Sequence, residues 1–172
     1  MLYFSIVWMS SAKYYWPLSD DEVVLGTRSG ELNGNITLAT GVKGKPNSAL
    51  QFSGEGSFID VGKFDKECFG NPDYCLALTF SFMAWFDDNS ISSTRRLNIL
   101  DSIEGNEMTN NGLGVYLQNN EMYFVISKTS NYFKSSISIV ANEWRHYVMI
   151  FNESSGLSIF VNGQNVPSKR YF

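Results

Sequence analysis

Between Leu76 and Phe86 the chain places Leu76, Leu78, Phe80, Phe82, Ala84 and Phe86 at alternate positions, with Thr79, Ser81, Met83 and Trp85 on the opposite side. An extended chain repeats every two residues and a helix about every 3.6, so this order predicts a strand. Because Met83 and Trp85 are also apolar, it predicts a strand covered on both faces.

The remaining punctuation is that of hairpins. Leu113 to Gln118 and Met122 to Lys128 flank Asn119-Asn120, residue types that accept the left-handed backbone of two-residue turns. Arg145 to Phe151 and Leu157 to Val161 flank Asn152 to Gly156, and Asn162-Gly163 predicts one more strand from Gln164. Ala49 to Phe52 and Phe58 to Val61, separated by Ser53-Gly54-Glu55-Gly56, read as a further hairpin. Turn signals recur about every ten residues with no sustained amphipathic helix, which predicts an all-β antiparallel sandwich or barrel. Asp87 to Arg96 and Asp101 to Asn111 are the long polar loops, where binding residues are expected.

At 172 residues the chain suits one core, and its 15 % aromatic content with 14 Gly is that of a β protein. The net charge is −4, and the basic residues are scattered apart from Arg95-Arg96 and Lys169-Arg170, which argues against nucleic acid as a partner. No apolar run approaches the roughly 20 residues of a membrane-spanning helix. Residues 1–12, apolar from Leu2 to Met9 and then Ser10-Ser11-Ala12, read as a signal peptide, as a truncated leader or as a first strand; the domain proper is expected at 13–172. Cys68 and Cys75 enclose Gly70, Asn71 and Pro72, a composition that bends the chain back and favours a disulfide over two free thiols. Asn35-Ile36-Thr37 and Asn152-Glu153-Ser154 are glycosylation sequons at Asn35 and Asn152. Together with the cysteines they point to the cell surface or the extracellular space.

Several segments resemble a known family. Ala12 to Leu18 looks like the opening strand of laminin-G-like and pentraxin-like domains, and Gly44 to Gly54 resembles their second strand. Cys68 to Cys75 followed by Leu78 to Phe82 is similar to the cysteine loop and buried strand of versions carried by cell-surface and adhesion receptors. The most specific match is Trp144-Arg145-His146-Tyr147-Val148 with Leu157 to Gly163, similar to the family's Trp-x-His-Val strand and its Val-Asn-Gly partner, although Tyr147 stands where the pattern has Val. The resemblance implies a concanavalin A-like jelly roll with its closing strand absent or cut short, and a segment of a longer parent protein.

Chemistry finds little purchase in this pattern. A retaining glycosidase needs two carboxylates about 5–5.5 Å apart, supplied in the hydrolase relatives by Glu-x-Asp-x-x-Glu on one strand, and that spacing is missing. Glu104 and Glu107 read as solvated loop carboxylates. The lone His146 lies among bulky apolar residues, where a structural role is expected and not catalysis. Asp87, Asp88, Asp101, Glu104 and Asn106 are the candidates for a calcium site by composition, with solubility of the loops as the alternative. Trp16, Phe52, Phe80, Phe82, Trp85, Trp144 and Phe160 are expected in the core, against a sugar-stacking platform. The function expected is a non-catalytic recognition module that binds an extracellular protein or glycan through loops at the sandwich rim. A calcium-dependent lectin and a glycoside hydrolase are the alternatives.

Overall fold

A computed structural model describes residues 2–5, 14, 16, 18, 30–54, 56–64, 66–103, 105–167 and 169–171, the first and last stretches as backbone alone. In chain order the strands are β1 Leu2–Ser5, β2 Glu31–Asn33, β3 Ile36–Ala39, β4 Ala49–Phe52, β5 Phe58–Asp60 and β6 Ala77–Phe86. After a four-residue helix, α1 Asp88–Ile91, come β7 Leu97–Asp101, β8 Gly112–Gln118, β9 Glu121–Ser127 and β10 Tyr132–Ser138. The last are β11 Arg145–Asn152, β12 Gly156–Val161, β13 Gln164–Asn165 and β14 Lys169–Tyr171. β1 with β4 and β6, β3 with β4, β2 with β5, β7 to β10 in turn, β10 with β14, and β11, β12 and β13 in turn pair antiparallel, as the hairpin signals predict. Among the described residues no helix is long and apolar enough to cross a membrane.

The chain forms two compact units, and β6 and β11 contribute to both. The first unit comprises Met1–Gly62, Ser81–Asp87 and Ala141–His146. Its strands hydrogen-bond in the order β6-β1-β4-β3, and β2 pairs with β5 separately. Leu50, Phe82, Ala84 and Phe86 are buried here. Two expectations are corrected. The opening strand is Leu2–Ser5, whereas Tyr14 lies in a bend and Trp16 and Leu18 lie outside strands. The Ser53–Gly56 stretch does not make a hairpin: β4 joins β1 and β3, and β5 joins β2. β4 is paired on both sides by β1 and β3, and at the turn the hydroxyls of Ser53 (2.9 Å) and Ser57 (3.2 Å) both donate to the Asn35 carbonyl.

The second unit comprises Lys63–Phe80, Asp88–Val140 and Tyr147–Phe172. Five strands run in the order β14-β10-β9-β8-β7, and β11, β12 and β13 pair in sequence. Cross-strand register puts Leu113 beside Ile126, Val115 beside Phe124 and Leu117 beside Met122, all fully buried on one face. Met149 beside Ile159 and Phe151 beside Leu157 bury the matching face of β11–β12, and the Phe133 ring meets Phe151 edge-on at 5.0 Å. Asn119 and Asn120 have φ of 53° and 64°, the left-handed turn expected of them, and Asn162-Gly163 turns in the same region at 50° and 79°.

The core differs from the expected one in membership. Phe82 is fully buried, while Trp16, Phe52, Phe80, Trp85, Trp144, His146 and Phe160 are only half-buried. Phe160 pairs with Val148, on the face opposite Met149 and Ile159. Phe80 lies in the half of β6 that is not covered on both sides, and it meets Phe69 edge-on at 5.9 Å.

Candidate functional site

Four loops of the second unit are tied together by polar contacts. The first is the cysteine loop, in which Cys68 and Cys75 form a disulfide with Cα atoms 5.5 Å apart. Within it, Asn71 caps a single 3-10 turn over Pro72–Tyr74 by accepting from the Asp73 backbone N–H at 3.0 Å. The Asp73 carboxylate then reaches two other loops. It accepts from the Thr129 hydroxyl, from the Thr129 N–H at 3.2 Å and from the Asn111 amide at 2.7 Å. The Thr129 hydroxyl above all, with its N–H and Asn111, holds the Asp73 carboxyl below its ordinary range against the opposing effect of burial. Lys128 brings in the fourth loop, for its ammonium donates to the Cys75 carbonyl (3.3 Å) and to Glu153 (2.8 Å) at the β11–β12 turn.

A second network secures the β7–β8 loop. Ile103 packs on Tyr116 and Val125 across the face of the five-stranded sheet, into space that Gly112 leaves open. A Cβ on Gly112 would sit 2.7 Å from Ile103 Cγ1, and its φ of 155° favours glycine as well. Glu107, four residues beyond Ile103, accepts from Lys134 (2.8 Å), Tyr132 (2.9 Å) and Arg96 (2.9 Å). The Arg96 guanidinium lies 4.0 Å over the Tyr116 ring, which is stacked on Tyr123. Glu107 is therefore not the solvated carboxylate that its polar surroundings in the sequence suggest. Burial alone would raise its pKa, but the hydrogen bonds from Lys134 and Tyr132 and the charges of Lys134 and Arg96 outweigh burial and hold it below the usual range. Burial and the bond to Glu107 push Tyr132 up to about 12.

Between β10 and the β11–β12 turn lies an open groove of about 320 Å³. Asn131, Glu153, Ser154 and Ser155 bring polar groups to it and Phe133 and Leu157 an apolar surface, while Tyr132 and Lys134 border it with their hydroxyl and ammonium engaged by Glu107. Such a mixture orients a polar ligand by hydrogen bonds while giving its apolar parts a surface to cover.

The other expected site residues are dispersed. Asp101 accepts from Asn98 (2.7 Å) and the Ile103 N–H (2.9 Å) and lies 3.5 Å from Arg96. Asn106 accepts from the Met108 N–H, Asp88 opens α1, Asp87 belongs to the first unit, and Glu104 lies outside the described residues. Among the described residues no three His, Cys, Asp or Glu side chains are grouped to hold a metal. Asn35 and Asn152 are both exposed, and Asn152 accepts from the Ser154 N–H (3.0 Å) and hydroxyl (2.6 Å) of its own sequon. His146 shares a 2.6 Å hydrogen bond with the Ser81 hydroxyl, a cross-strand bond between side chains of β6 and β11. Asp73, Asn111, Thr129 and Lys128 carry no local signal in the sequence beyond the Asn-Pro-Asp turn, because their partners come from distant loops.

A laminin-G family model, described as concanavalin A-like lectin/glucanases superfamily, matches residues 62–172. No curated protein matches the sequence. Among solved structures, the receptor binding domain of botulinum neurotoxin C/D mosaic serotype is 17 % identical with a TM-score of 0.63, over 83 % of this chain and 34 % of that one. The binding domain of botulinum neurotoxin DC in complex with rat synaptotagmin II is 17 % identical with a TM-score of 0.60, over 83 % and 35 %. The same toxin's binding domain in complex with SialylT is 15 % identical with a TM-score of 0.60, over 84 % and 35 %. The chain thus spans about a third of the length of these structures, and the likeness is one of fold. With its antiparallel strands, its all-β content and the family match over most of its length, the chain belongs to the concanavalin A-like lectin/glucanases superfamily as a laminin-G-like jelly-roll domain.

Proposed function

We propose that this domain is a non-catalytic extracellular recognition module that binds a protein or glycan ligand at the loop rim of its second unit. The observation that carries the reading is the rim itself. A disulfide, the Asp73 carboxylate and Lys128 hold four loops in one arrangement beside the polar groove at Asn131 and Ser155. Loops ordered before binding lose less entropy on contact, which favours recognition. The toxin binding domains in complex with synaptotagmin II and with SialylT support the kind of role, since they share the fold. The disulfide and the two exposed sequons support an extracellular setting.

Glu107 also argues for binding over hydrolysis. A glycosidase general acid must keep its proton near neutral pH through a raised pKa, and Glu107 is driven the other way by two cations and a phenol.

The test is a glycan array and a panel of extracellular proteins probed with the intact domain and with Asn131→Ala and Ser155→Arg variants, each with and without a chelator. A ligand whose binding falls about tenfold or more in the rim variants, the loss of one to two good polar contacts, supports the reading. Binding that ignores both substitutions overturns it, and binding abolished by the chelator replaces it with a calcium-dependent lectin.

A further inference from the structure

Three loops of the second unit meet at a single amide. Asn111 Nδ2 carries two N–H groups and has three acceptors around it: Asp73 Oδ2 at 2.7 Å, Thr129 Oγ1 at 2.9 Å and Asn71 Oδ1 at 3.1 Å. Asn71 and Asp73 belong to the cysteine loop, Thr129 to the β9–β10 turn and Asn111 to the β7–β8 loop. The residue after Asn111 is set by packing. A Cβ on Gly112 would lie 2.7 Å from Ile103 Cγ1 and 2.9 Å from the Ser102 carbonyl oxygen, so no larger residue fits there. The rim thus needs asparagine for its hydrogen bonds and glycine for its space, and the two needs together place an Asn-Gly pair at the hub. Two further Asn-Gly pairs, Asn33-Gly34 and Asn162-Gly163, lie elsewhere in the chain.

We infer that Asn111 is a deamidation site that works as a one-way latch: its three acceptors protect the amide while the loops are closed, and once they part it becomes a carboxylate that keeps them apart. An Asn-Gly pair is open to this chemistry because glycine has no Cβ to shield its nitrogen or to restrict the rotation that brings it to the amide carbon. The Gly112 nitrogen gives up its proton and bonds to Asn111 Cγ, the Cγ–Nδ2 bond breaks, and the nitrogen leaves as ammonia. Water then opens either carbonyl–nitrogen bond of the five-membered succinimide and leaves aspartate or isoaspartate. The sum is amide and water giving acid and ammonia, with no change of oxidation state. In the closed rim the attack would have to pull the amide from all three acceptors, so the reaction runs through local opening of the loops. Afterwards a negative charge faces the Asp73 carboxylate where a 2.7 Å hydrogen bond had been, and like charges that close repel. The latch depends on how the loops meet and not on their having a ligand.

The experiment ages the intact, disulfide-bonded protein in neutral buffer below its melting temperature and follows each Asn-Gly pair by peptide mass mapping that separates aspartate from isoaspartate. Conversion at Asn111 is expected to be at least tenfold slower than in the urea-unfolded chain. Thr129→Val, which keeps the shape but removes the hydroxyl bonded to Asp73 and Asn111, should speed it about tenfold while the rate at Asn162 stays the same. Asn111→Asp copies one product. Amide exchange at Thr129, whose N–H also bonds to Asp73, should then be about tenfold to a hundredfold faster, as loss of a hydrogen bond to a charged group implies. It should also be faster than in Asn111→Ala, which loses the donor without adding charge, and added salt should narrow that difference. Conversion at Asn111 as fast in the intact protein as in the unfolded chain overturns the inference, as does a rate that Thr129→Val leaves unchanged. Exchange in Asn111→Asp no faster than in Asn111→Ala overturns it too, because the carboxylate would then hold nothing apart. None of these readouts involves a ligand, so each failure leaves the proposed function standing.

Discussion

At the scale of the residue, Glu107 shows most clearly how position in space changes what a side chain does. Its carboxylate is 16 % exposed and meets Lys134 and Arg96 as well as the Tyr132 hydroxyl. Glu107→Gln keeps the shape but removes the charge that both cations face. It is expected to lower unfolding free energy by about 2–3 kcal/mol in urea titration, toward the lower end for breaking a buried pair because Arg96 stays partly in water. An unchanged midpoint would show that the network adds nothing to stability. Nothing local in the sequence marks this residue, since Arg96, Tyr116, Tyr132 and Lys134 arrive from two strands and a loop. The same holds for Trp144: its apolar character is plain, but only packing decides that it lines a groove and does not enter the core.

At the scale of the element, local signals succeeded where partners are neighbours in the chain. The β8–β9, β11–β12 and β12–β13 turns all follow from Asn or Gly that tolerate positive φ, and the register follows from the turn. The Ser53–Gly56 turn misled because β4 finds better partners in β1 and β3, a choice that no local sequence can express. β2, β7 and β10 carry too few alternating apolar residues to stand out, and they are strands because neighbours supply the hydrogen bonds. The cysteine loop is the element with the most direct test. Cys75→Ser opens a closure of seven residues' separation, for which loop entropy predicts a loss of about 2 kcal/mol. A lower melting temperature, together with faster amide exchange at Asn111 and Thr129, is expected; exchange that stays unchanged at those two residues would show that the disulfide does not hold the rim.

At the scale of the whole molecule, the titrating groups combine into a pH profile. His146 is lowered from its ordinary 6.5 by burial, so its contribution to stability is complete above that value and declines as pH falls below it. Glu107 and Asp73 have folded values below their ordinary 4.5 and 3.8, so their contributions persist at neutral pH and disappear as pH falls through the lowered values. Tyr132, raised from 10.0 to about 12, adds a contribution lost as pH rises above 10. Melting temperature should therefore decline in two steps on acidification. His146→Gln should remove the first, between about pH 7 and pH 5, and a first step that persists in that variant would refute the assignment. Secondary-structure class, the family resemblance, the cysteine pairing and most hairpins were determined by the sequence alone, because alternation and turn conformation are properties of residues close together in the chain. Which strands pair at a distance, which aromatic residues are buried, and which loops meet around Asp73 and Glu107 were decided only by tertiary structure, because each depends on atoms brought together from positions far apart in the chain.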